Sequence, residues 1–336
     1  MPLAQIDRAR MKRLRQGAVV VIEEPALFEV TGSGALTCLQ GLLTNDLIEP
    51  GEHSLVYGAL LTPKGMIVVD HWVIRRPSGF TLISPIQTRE LSRDLFTRSL
   101  PPRLAKAEDR TGSRSVAWLY GHAVLDALGK LGKSPMPEGP RRVTEWDGGS
   151  LLVARPGPTA PYTAMITGAS KDVEAVAAEL VSKGATRGDA TDQLAARILA
   201  GWPAVGAEID EKTLPQEVRY DEIDGVSYTK GCYTGQETVA RVHFRGHPNR
   251  MLRGLLWTGG ADVEPGAVVV AESSGSEAPA KPTASAGTVQ SILRLPDYAL
   301  GLAVLRREVP ADAWVTAGGY PAEVVPLPFS EEHLRG

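Results

Sequence analysis

The sequence predicts an α+β protein that ends in a small antiparallel β-barrel. In the first 247 residues, apolar runs typical of strands alternate with segments whose apolar residues recur at helical spacing. From about residue 250 onward, short β-type runs alternate with Gly and Pro turns, which is typical of a small all-β barrel. A length of 336 residues with 43% hydrophobic content allows a large core and more than one domain. We therefore predict an α+β region over residues 1–247, built as two intertwined lobes, and a barrel domain over residues 248–336.

The first hundred residues contain strand-like runs separated by turn residues, together with three helical segments. The basic segment 8–15 predicts a solvated first helix that leads into a strand. The turns Glu23-Glu24-Pro25 and Thr62-Pro63-Lys64-Gly65 each separate two strands. The predicted strands cover residues 18–22, 27–30, 55–61, 66–73 and 80–84. The further helices cover residues 35–42 and 88–100, and prolines at 101 and 102 close the second of them.

The middle of the chain predicts three helices and two strands. The helix over 172–183 has apolar residues at helical spacing and ends at Gly184. The other predicted helices cover residues 122–131 and 191–200, and the strands cover residues 116–119 and 150–154.

The last part of the chain predicts the strands of the barrel. They cover residues 252–257, 267–271, 287–293, 298–305, 314–316 and 322–325. Residues 273–285 are rich in Ser, Ala, Pro and Gly and predict a mobile hairpin loop.

The charge and hydropathy of the chain narrow the possible classes of function. With 36 basic and 39 acidic residues the net charge is −3, so the chain has no general attraction to nucleic acid or to an anionic membrane. We therefore do not expect direct nucleic-acid binding. The apolar stretch 18–22 is too short for a signal peptide, and no stretch approaches the length of a membrane span. The expected location is the cytoplasm, without a membrane partner.

The cysteine and histidine content argues against a metal centre within this chain. Cys38 and Cys232 are the only cysteines, which is too few for a secreted disulfide framework and fits a reducing cytoplasm. An iron–sulfur cluster usually takes four cysteine ligands, and a structural zinc site takes four Cys or His ligands. The six histidines show neither Cys-x-x-Cys nor His-Glu-x-x-His spacing. The sequence thus predicts no metal site.

Residues 230–237 (KGCYTGQE) form the most informative segment. Thr234-x-x-Glu237 fits a capping box, which predicts a helix that begins at Gly235. Cys232 would then lie just before a helix N-terminus, where unpaired N–H groups favour anions, and Lys230 would add a positive charge. Both features favour the thiolate, which reacts with electrophiles or binds metal. Gly residues at 231 and 235 permit tight turns and a close approach to a ligand.

A structural interpretation of the same residues stands beside the functional one. Glu237 can act as a helix cap alone, Cys232 can be a small buried hydrophobic residue, and Lys230 can be an ordinary solvated charge. The residues by themselves predict a candidate reactive thiol in a Gly-flanked loop.

The octapeptide resembles the signature of the YgfZ family of folate-binding, iron–sulfur-related proteins within the glycine-cleavage T-protein superfamily. The resemblance continues into residues 239–241 and 244–246 and extends to segments 39–46, 61–70, 197–203 and 214–217. It implies a T-protein-like, multi-lobed α+β fold with a C-terminal barrel around a central folate channel. It also implies tetrahydrofolate or a derivative as the cofactor, and a role in the assembly or repair of iron–sulfur proteins and, through them, in tRNA thiolation.

The resemblance also implies the site residues. Cys232 and Lys230 are expected to carry the chemistry. The expected folate-contacting residues are Asn45, Asp46, Trp202, Glu208, Tyr228, Gly231, Tyr233, Gly235, Gln236, Glu237, Arg241 and Arg245. Because two cysteines cannot complete a four-thiolate site, any cluster is expected to be transient and shared with a partner, either an iron–sulfur carrier or a client protein.

Several of these residues have alternative interpretations. Asn45 and Asp46 are common turn residues that can bond to backbone alone. Trp202 and Tyr228 can stack on a flat ring, although a buried aromatic residue is more often part of the core. Arg241 and Arg245 belong to a basic strip with Phe244 that fits the glutamate tail of a folate, an RNA contact or a solvated surface.

One departure from the superfamily bears on catalysis. The aminomethyltransferases have a pterin-anchoring glutamate two residues before a glycine, and Leu199 occupies the comparable position here. A carboxylate can pair with the donor edge of a pterin through two hydrogen bonds, whereas leucine forms none. Folate is then expected to bind more weakly, or through Glu208 or Glu217. We therefore predict an accessory protein rather than an enzyme, with folate-dependent aminomethyl transfer as the alternative.

Overall fold

The computed structural model describes residues 2–271 and 285–334, and the predicted loop at 273–285 lies outside this part of the chain except for its last residue. The helices within these ranges are α1 (Arg8–Gln16), α2 (Ala35–Gln40), α3 (Arg89–Ser99), α4 (Val124–Gly129), α5 (Ser170–Ser182), α6 (Ala190–Leu199) and α7 (Gln236–Arg245). The strands are β1 (Leu3–Gln5), β2 (Val19–Glu23), β3 (Ala26–Thr31), β4 (Ser54–Leu61), β5 (Ile67–Arg76), β6 (Gly79–Ser84), β7 (Lys106–Asp109), β8 (Arg114–Tyr120), β9 (Arg142–Trp146), β10 (Leu151–Arg155), β11 (Ala164–Ala169), β12 (Thr186–Arg187), β13 (Arg250–Thr258), β14 (Val268–Ala271), β15 (Ser285–Arg294), β16 (Tyr298–Arg306), β17 (Trp314–Ala317) and β18 (Tyr320–Val325).

The larger sheet consists of two halves that meet at one residue pair. Its strand order is β12-β2-β8-β11-β10-β9-β4-β5-β6-β3-β7. The pair between Ser54 of β4 and Arg142 of β9 is the junction of the halves. Apolar faces of α4 and α5 pack on the first half, and those of α2 and α3 pack on the second half. Each half therefore has its own helix-covered core, which gives the α+β region two lobes.

The smaller sheet closes into a barrel of six strands. The order β15-β14-β17-β18-β13-β16 is completed by pairing of β16 with β15, and all six contacts are antiparallel. Trp257 is fully buried inside it. The predicted C-terminal barrel is confirmed.

The N-terminal strand β1 also belongs to the barrel sheet, because it pairs in parallel with β15. Three residues after the end of β1, α1 begins, and it is less solvated than the sequence suggests. Met11 and Leu14 are buried in the main core, and Arg10 pairs with Asp192 of α6. The domain boundary near residue 248 remains a prediction.

Four strands of the larger sheet, β7, β9, β11 and β12, are absent from the sequence prediction. The longest two of them, β9 and β11, cover residues 142–146 and 164–169. Residues 164–168 of β11 are all buried, so its sequence lacks the polar alternation that marks a half-exposed strand. No helix in the described ranges has the length and hydrophobicity needed to cross a membrane.

Candidate functional site

A cavity of about 150 Å³ lies between the lobes and the segment that follows α6. We call it the aromatic cavity, because six of its lining residues are Tyr57, Trp72, Trp118, Tyr120, Tyr162 and Trp202. A concave, mainly apolar site with a few polar groups is the usual form of a small-molecule site.

The indoles of Trp72 and Trp202 form the centre of the aromatic cavity. Their rings are stacked at 15° with centroids 5.4 Å apart. Tyr57 lies 4.7 Å from the Trp202 ring and is the cross-strand neighbour of Trp72 in the β4–β5 pair. Trp202 is positioned by Arg197 of α6, whose Nη1 donates a 2.8 Å hydrogen bond to the Trp202 carbonyl. The three aromatic rings therefore come from β4, from β5 and from the segment that follows α6.

Asp70 brings a carboxyl group with an unused oxygen to the aromatic cavity. It lies two residues before Trp72 on β5, so both side chains point to the same face of the sheet. Tyr57 Oη donates to Asp70 Oδ2 at 2.6 Å and lies 3.2 Å from Tyr220 Oη. Asp70 Oδ1 is buried without a hydrogen-bond partner among the described residues. Burial raises the pKa of Asp70.

Glu23 and Arg197, two other charged residues of the aromatic cavity, form contacts within the protein. Glu23 Oε2 accepts hydrogen bonds from Trp118 Nε1 at 2.7 Å and from Gln193 Nε2 at 2.8 Å. Arg197 is paired with Glu208 at 2.7 Å. Asp70 Oδ1 is thus a buried carboxyl oxygen at the aromatic cavity that no hydrogen bond from the described residues occupies.

His71 also lines the aromatic cavity, and burial lowers its pKa to about 3. Its Nε2 lies 3.2 Å from Ser92 Oγ of α3, and its Nδ1 is buried without a partner. The imidazole is therefore neutral at physiological pH.

A second cavity of about 330 Å³ adjoins the first. Tyr57, Trp72 and Trp202 line both cavities. The ion pair between Arg141 and Asp224 lies at the second cavity. The stacked indoles therefore contribute to both cavities.

The loop 230–237 begins α7 differently from the predicted capping box. The helix starts at Gln236, its N-cap is Gly235 in the left-handed region with φ 83°, and no side chain caps it. A Cβ atom at Gly235 would lie 2.6 Å from the Thr62 carbonyl oxygen, so the close approach of the two loops requires glycine. The predicted capping role of Thr234 and Glu237 is wrong, because a left-handed N-cap leaves Thr234 outside the helix start.

Cys232 is exposed, and Lys230 beside it is buried. The Lys230 ammonium donates three hydrogen bonds to backbone carbonyls, to Gln40 O at 2.7 Å, Leu43 O at 2.7 Å and Asn45 O at 2.8 Å. Burial lowers the pKa of Lys230 to about 8, so the ammonium remains the main form at neutral pH. The expectation that Lys230 places a positive charge near the thiol stays a prediction. In the structure, all three donors of this ammonium are bonded to backbone carbonyls.

Asn45 and Asp46 form the turn that receives Lys230. The Asn45 amide donates to the carbonyls of Tyr57 and Asp224, and its Oδ1 accepts from the Asp46 N–H. Burial opposes ionisation of Asp46, but hydrogen bonds from the N–H groups of Ile48 and Glu49 outweigh it and lower the pKa of Asp46. The alternative interpretation of both residues as backbone-bonded turn residues agrees with these contacts.

The carboxylates proposed from sequence as substitutes for position 199 are engaged in protein contacts. Glu208 accepts hydrogen bonds from Arg197, the Ala204 N–H and Ser291 Oγ. Glu217 pairs with Arg250 Nε at 3.1 Å and accepts from the Leu214 N–H at 3.0 Å. Neither lines the aromatic cavity.

Among the predicted folate-contacting residues, Trp202 lines the aromatic cavity and the others lie elsewhere. Tyr228 stacks on His243 with centroids 3.6 Å apart, and Tyr233 is buried with its hydroxyl unpartnered among the described residues. Gly231 is exposed in the loop. Gln236, Glu237, Arg241 and Arg245 lie on α7, which follows the loop. None of residues 230–237 lines the aromatic cavity, whereas the sequence placed both in one site.

Sequence reasoning did not assign Tyr57, Asp70 and Trp72 to the site, although all three line the aromatic cavity. The available signal was the period-two alternation of β4 and β5, which places residues 57, 70 and 72 on one face of the hairpin. In the described ranges, no three His, Cys, Asp or Glu side chains converge in a way that could hold a metal ion.

Comparison with known proteins gives one family and several relatives. The family described as GCVT N-terminal domain matches residues 9–223. The tRNA-modifying protein YgfZ of Cronobacter sakazakii (strain ATCC BAA-894) is 27% identical over 326 residues, which cover 94% of this chain and 93% of that protein. The tRNA-modifying protein YgfZ of Enterobacter sp. (strain 638) is 29% identical over 238 residues, or 70% of each chain.

A solved structure supports the fold. The glycine cleavage system aminomethyltransferase T from Bartonella henselae matches with a TM-score of 0.81 at 18% sequence identity, over 96% of this chain and 89% of that one. The likeness confirms the predicted arrangement of α+β lobes with a C-terminal barrel.

Proposed function

Because this chain belongs to the GCVT N-terminal domain family, we propose that it is a tetrahydrofolate-binding accessory protein that supports the assembly or repair of iron–sulfur proteins. In this proposal, tRNA modification depends on the protein through those iron–sulfur clients. The similarity to tRNA-modifying proteins over most of the chain supports the link to tRNA modification. The aromatic cavity, with its stacked indoles and the free Asp70 oxygen, is the observation that supports tetrahydrofolate binding.

The residues of the aromatic cavity fit a reduced pterin. Trp72, Trp202 and Tyr57 offer flat apolar faces of the kind that stack on a planar ring. Asp70 Oδ1 can accept a hydrogen bond from the donor edge of that ring. Asp70 of β5 then supplies the carboxyl group that position 199 lacks, because the residue there is leucine. When bound, the folate supplies one-carbon units or a redox-active ring, and the chain orients it and excludes water.

Cys232 is the residue that we assign to the iron–sulfur role. Its exposure allows contact with a partner protein, which a buried thiol does not. With two cysteines in the whole chain, a cluster would have to be shared with a carrier or client.

Titration with tetrahydrofolate and with folinic acid tests the ligand. Since three tryptophans line the aromatic cavity, intrinsic fluorescence should change in a saturable manner. Asp70→Asn should weaken binding roughly tenfold or more, because loss of a charged partner in a buried site costs about 1.5–3 kcal/mol. Asp94→Asn, an exposed change on α3, is the matched control. Saturable binding that is unaffected by Asp70→Asn would remove Asp70 from the site, and absence of binding would refute the folate proposal.

Replacement of Cys232 tests the iron–sulfur role. A cell that carries Cys232→Ser as its only copy should lose activity of cluster-dependent enzymes and the tRNA thiolation that depends on them. Cys38→Ser should retain both activities. Wild-type performance of the Cys232→Ser strain would show that the thiol is not involved.

Aminomethyl transfer is the second candidate, and Asp70 supports it. A buried carboxyl with a raised pKa and a free oxygen in the ligand cavity has the properties of a general acid–base group. Incubation with aminomethylated carrier protein and tetrahydrofolate should yield methylene-tetrahydrofolate and ammonia if the chain is a transferase, and Asp70→Asn should abolish the yield. If the chain is an accessory protein, as in our first proposal, neither the wild type nor Asp70→Asn forms methylene-tetrahydrofolate.

A further inference from the structure

The buried ammonium of Lys230 joins the cysteine loop to the turn after α2. Its three acceptors are the carbonyls of residues 40, 43 and 45 at distances of 2.7–2.8 Å. Carbonyls at the C-terminal end of a helix lack intrahelical partners and carry partial negative charge. An ammonium has three donors in a tripod arrangement, so this group satisfies all of its donors on one turn.

Further hydrogen bonds attach the same two segments to each other. Thr234 N donates to Gly41 O at 3.0 Å, and Ser227 N donates to Thr44 O at 3.0 Å. Thr44 Oγ1 donates to Gly225 O at 2.6 Å. The loop is therefore anchored at Lys230, two residues before Cys232, and at Thr234, two residues after it. Between these anchors Gly231 and Cys232 are exposed.

The turn that receives Lys230 rests directly on the larger sheet. A Cβ atom at Gly58 of β4 would lie 2.9 Å from Leu43 Cγ and 3.2 Å from Asn45 Cβ. The turn thus has no freedom to move toward the strand. A rigid surface beneath the three carbonyls fixes the place of the ammonium, and with it the start of the exposed dipeptide.

We propose that Lys230 is a positioning residue that holds Cys232 in a fixed exposed geometry through this carbonyl tripod. Its role is thus geometric, since all three of its donors are bonded to the turn. This inference rests on the proposed function of Cys232. It explains why a lysine, rather than any cation, occupies position 230, because the planar guanidinium of arginine cannot match three converging carbonyls.

Two substitutions at position 230 separate geometry from charge. Lys230→Met removes both the charge and the tripod, whereas Lys230→Arg keeps the charge. In a Cys38→Ser background, the measured quantities are amide hydrogen exchange of residues 231–234 and the pH profile of Cys232 alkylation by iodoacetamide. Both variants should exchange about tenfold faster or more in this loop, because buried carbonyls lose their donors. In both variants, the pH profile of Cys232 alkylation should shift by the same amount. Amide exchange in the barrel should not change in either variant. Lys212→Met, at an exposed position, is the control.

Gly58→Ala provides an independent route to the same loop. It displaces the carbonyl turn without changing Lys230, and it should also accelerate exchange at residues 231–234. This variant keeps the proposal testable if Lys230→Met fails to fold.

The outcomes decide between three roles. If Lys230→Arg preserves the wild-type alkylation profile and Lys230→Met does not, the charge acts on the thiol and the positioning proposal is wrong. If neither variant alters exchange or alkylation, Lys230 has no role in the loop. These readouts do not require folate or clusters, so they remain valid even if Cys232→Ser is fully active in cells and the proposed function fails.

Discussion

A single carboxyl group, Asp70, shows how burial changes the chemistry of a residue. In the sequence it is the last residue of segment 61–70, which resembles the family, but no local pattern marks it as a site residue. In the structure it is buried beside Tyr57 and two indoles with one oxygen free. Burial without a counter-ion raises the pKa of a carboxyl group and leaves a strong unsatisfied acceptor. A ligand with a donor edge would satisfy that acceptor.

The conformation of Gly235 leads to a second prediction that concerns a single residue. Gly235→Ala should destabilise the protein by about 2–4 kcal/mol, because it combines a left-handed backbone with a Cβ atom 2.6 Å from Thr62 O. Gly112 has a φ of 82° with open space around its Cβ position. Gly112→Ala should therefore cost only about 1 kcal/mol. Urea unfolding of both variants measures the difference, and equal losses would show that the contact with Thr62 relaxes without cost.

At the scale of elements, β5 joins the site to the packing of α3. Asp70 and Trp72 face the aromatic cavity, while His71 between them packs toward Ser92 and Phe96 of α3. The alternation of a strand thus gives consecutive residues different surroundings. The strand carries the ligand groups on one face and is held by a helix on the other.

His71 predicts a pH dependence of stability. Its folded pKa of about 3 lies below the ordinary 6.5, so the unfolded chain binds more protons between these values. Stability from this group is complete above pH 6.5 and falls with acidification by about 1.4 kcal/mol per pH unit. The free energy of unfolding, measured from pH 7 to pH 4.5, should fall less steeply in His71→Gln than in the wild type. Parallel slopes would mean that the imidazole is protonated in the folded protein.

For the whole molecule, one buried network connects α6 to the barrel. Arg197 of α6 pairs with Glu208, and both contact Ser291 of β15. The Glu208 side chain has no solvent exposure and that of Arg197 is 14% exposed, so this ion pair is largely buried. Arg219 adds a second connection, from the carbonyl of Gly201 to that of Leu327 near the end of the chain. Trp202 lies between these two connections, so barrel and lobes together set its position.

Glu208→Gln tests that connection. The change should cost about 3–5 kcal/mol, because it leaves Arg197 as a buried charge without its counter-ion. It should also weaken tetrahydrofolate binding, since Arg197 holds the Trp202 backbone. Glu211→Gln, a neighbouring exposed position, serves as the control in denaturant titrations. Stability and binding equal to those of the control would show that the network is dispensable.

The fold was largely predictable, and the site was predictable only in part. The helices over 172–183 and 191–200 and all six barrel strands follow from local patterns of apolar residues and turns, and the structure confirms them. Strand β11 was missed because a strand buried on both faces has no alternation. Trp202 was predicted for the cavity, whereas Asp70 was not, since its importance depends on what surrounds it.

The sequence by itself determined the α+β class, the C-terminal barrel, the glycine-flanked cysteine segment and the family resemblance, because these depend on residues that are neighbours along the chain. Only the tertiary structure decided which polar groups remain free and which are already bonded. Lys230 and Gln40 are 190 positions apart, and Arg197 and Ser291 are 94 apart, yet each pair shares a hydrogen bond. A side chain's donors and acceptors are satisfied by whatever the fold brings to them, and local sequence does not contain that information.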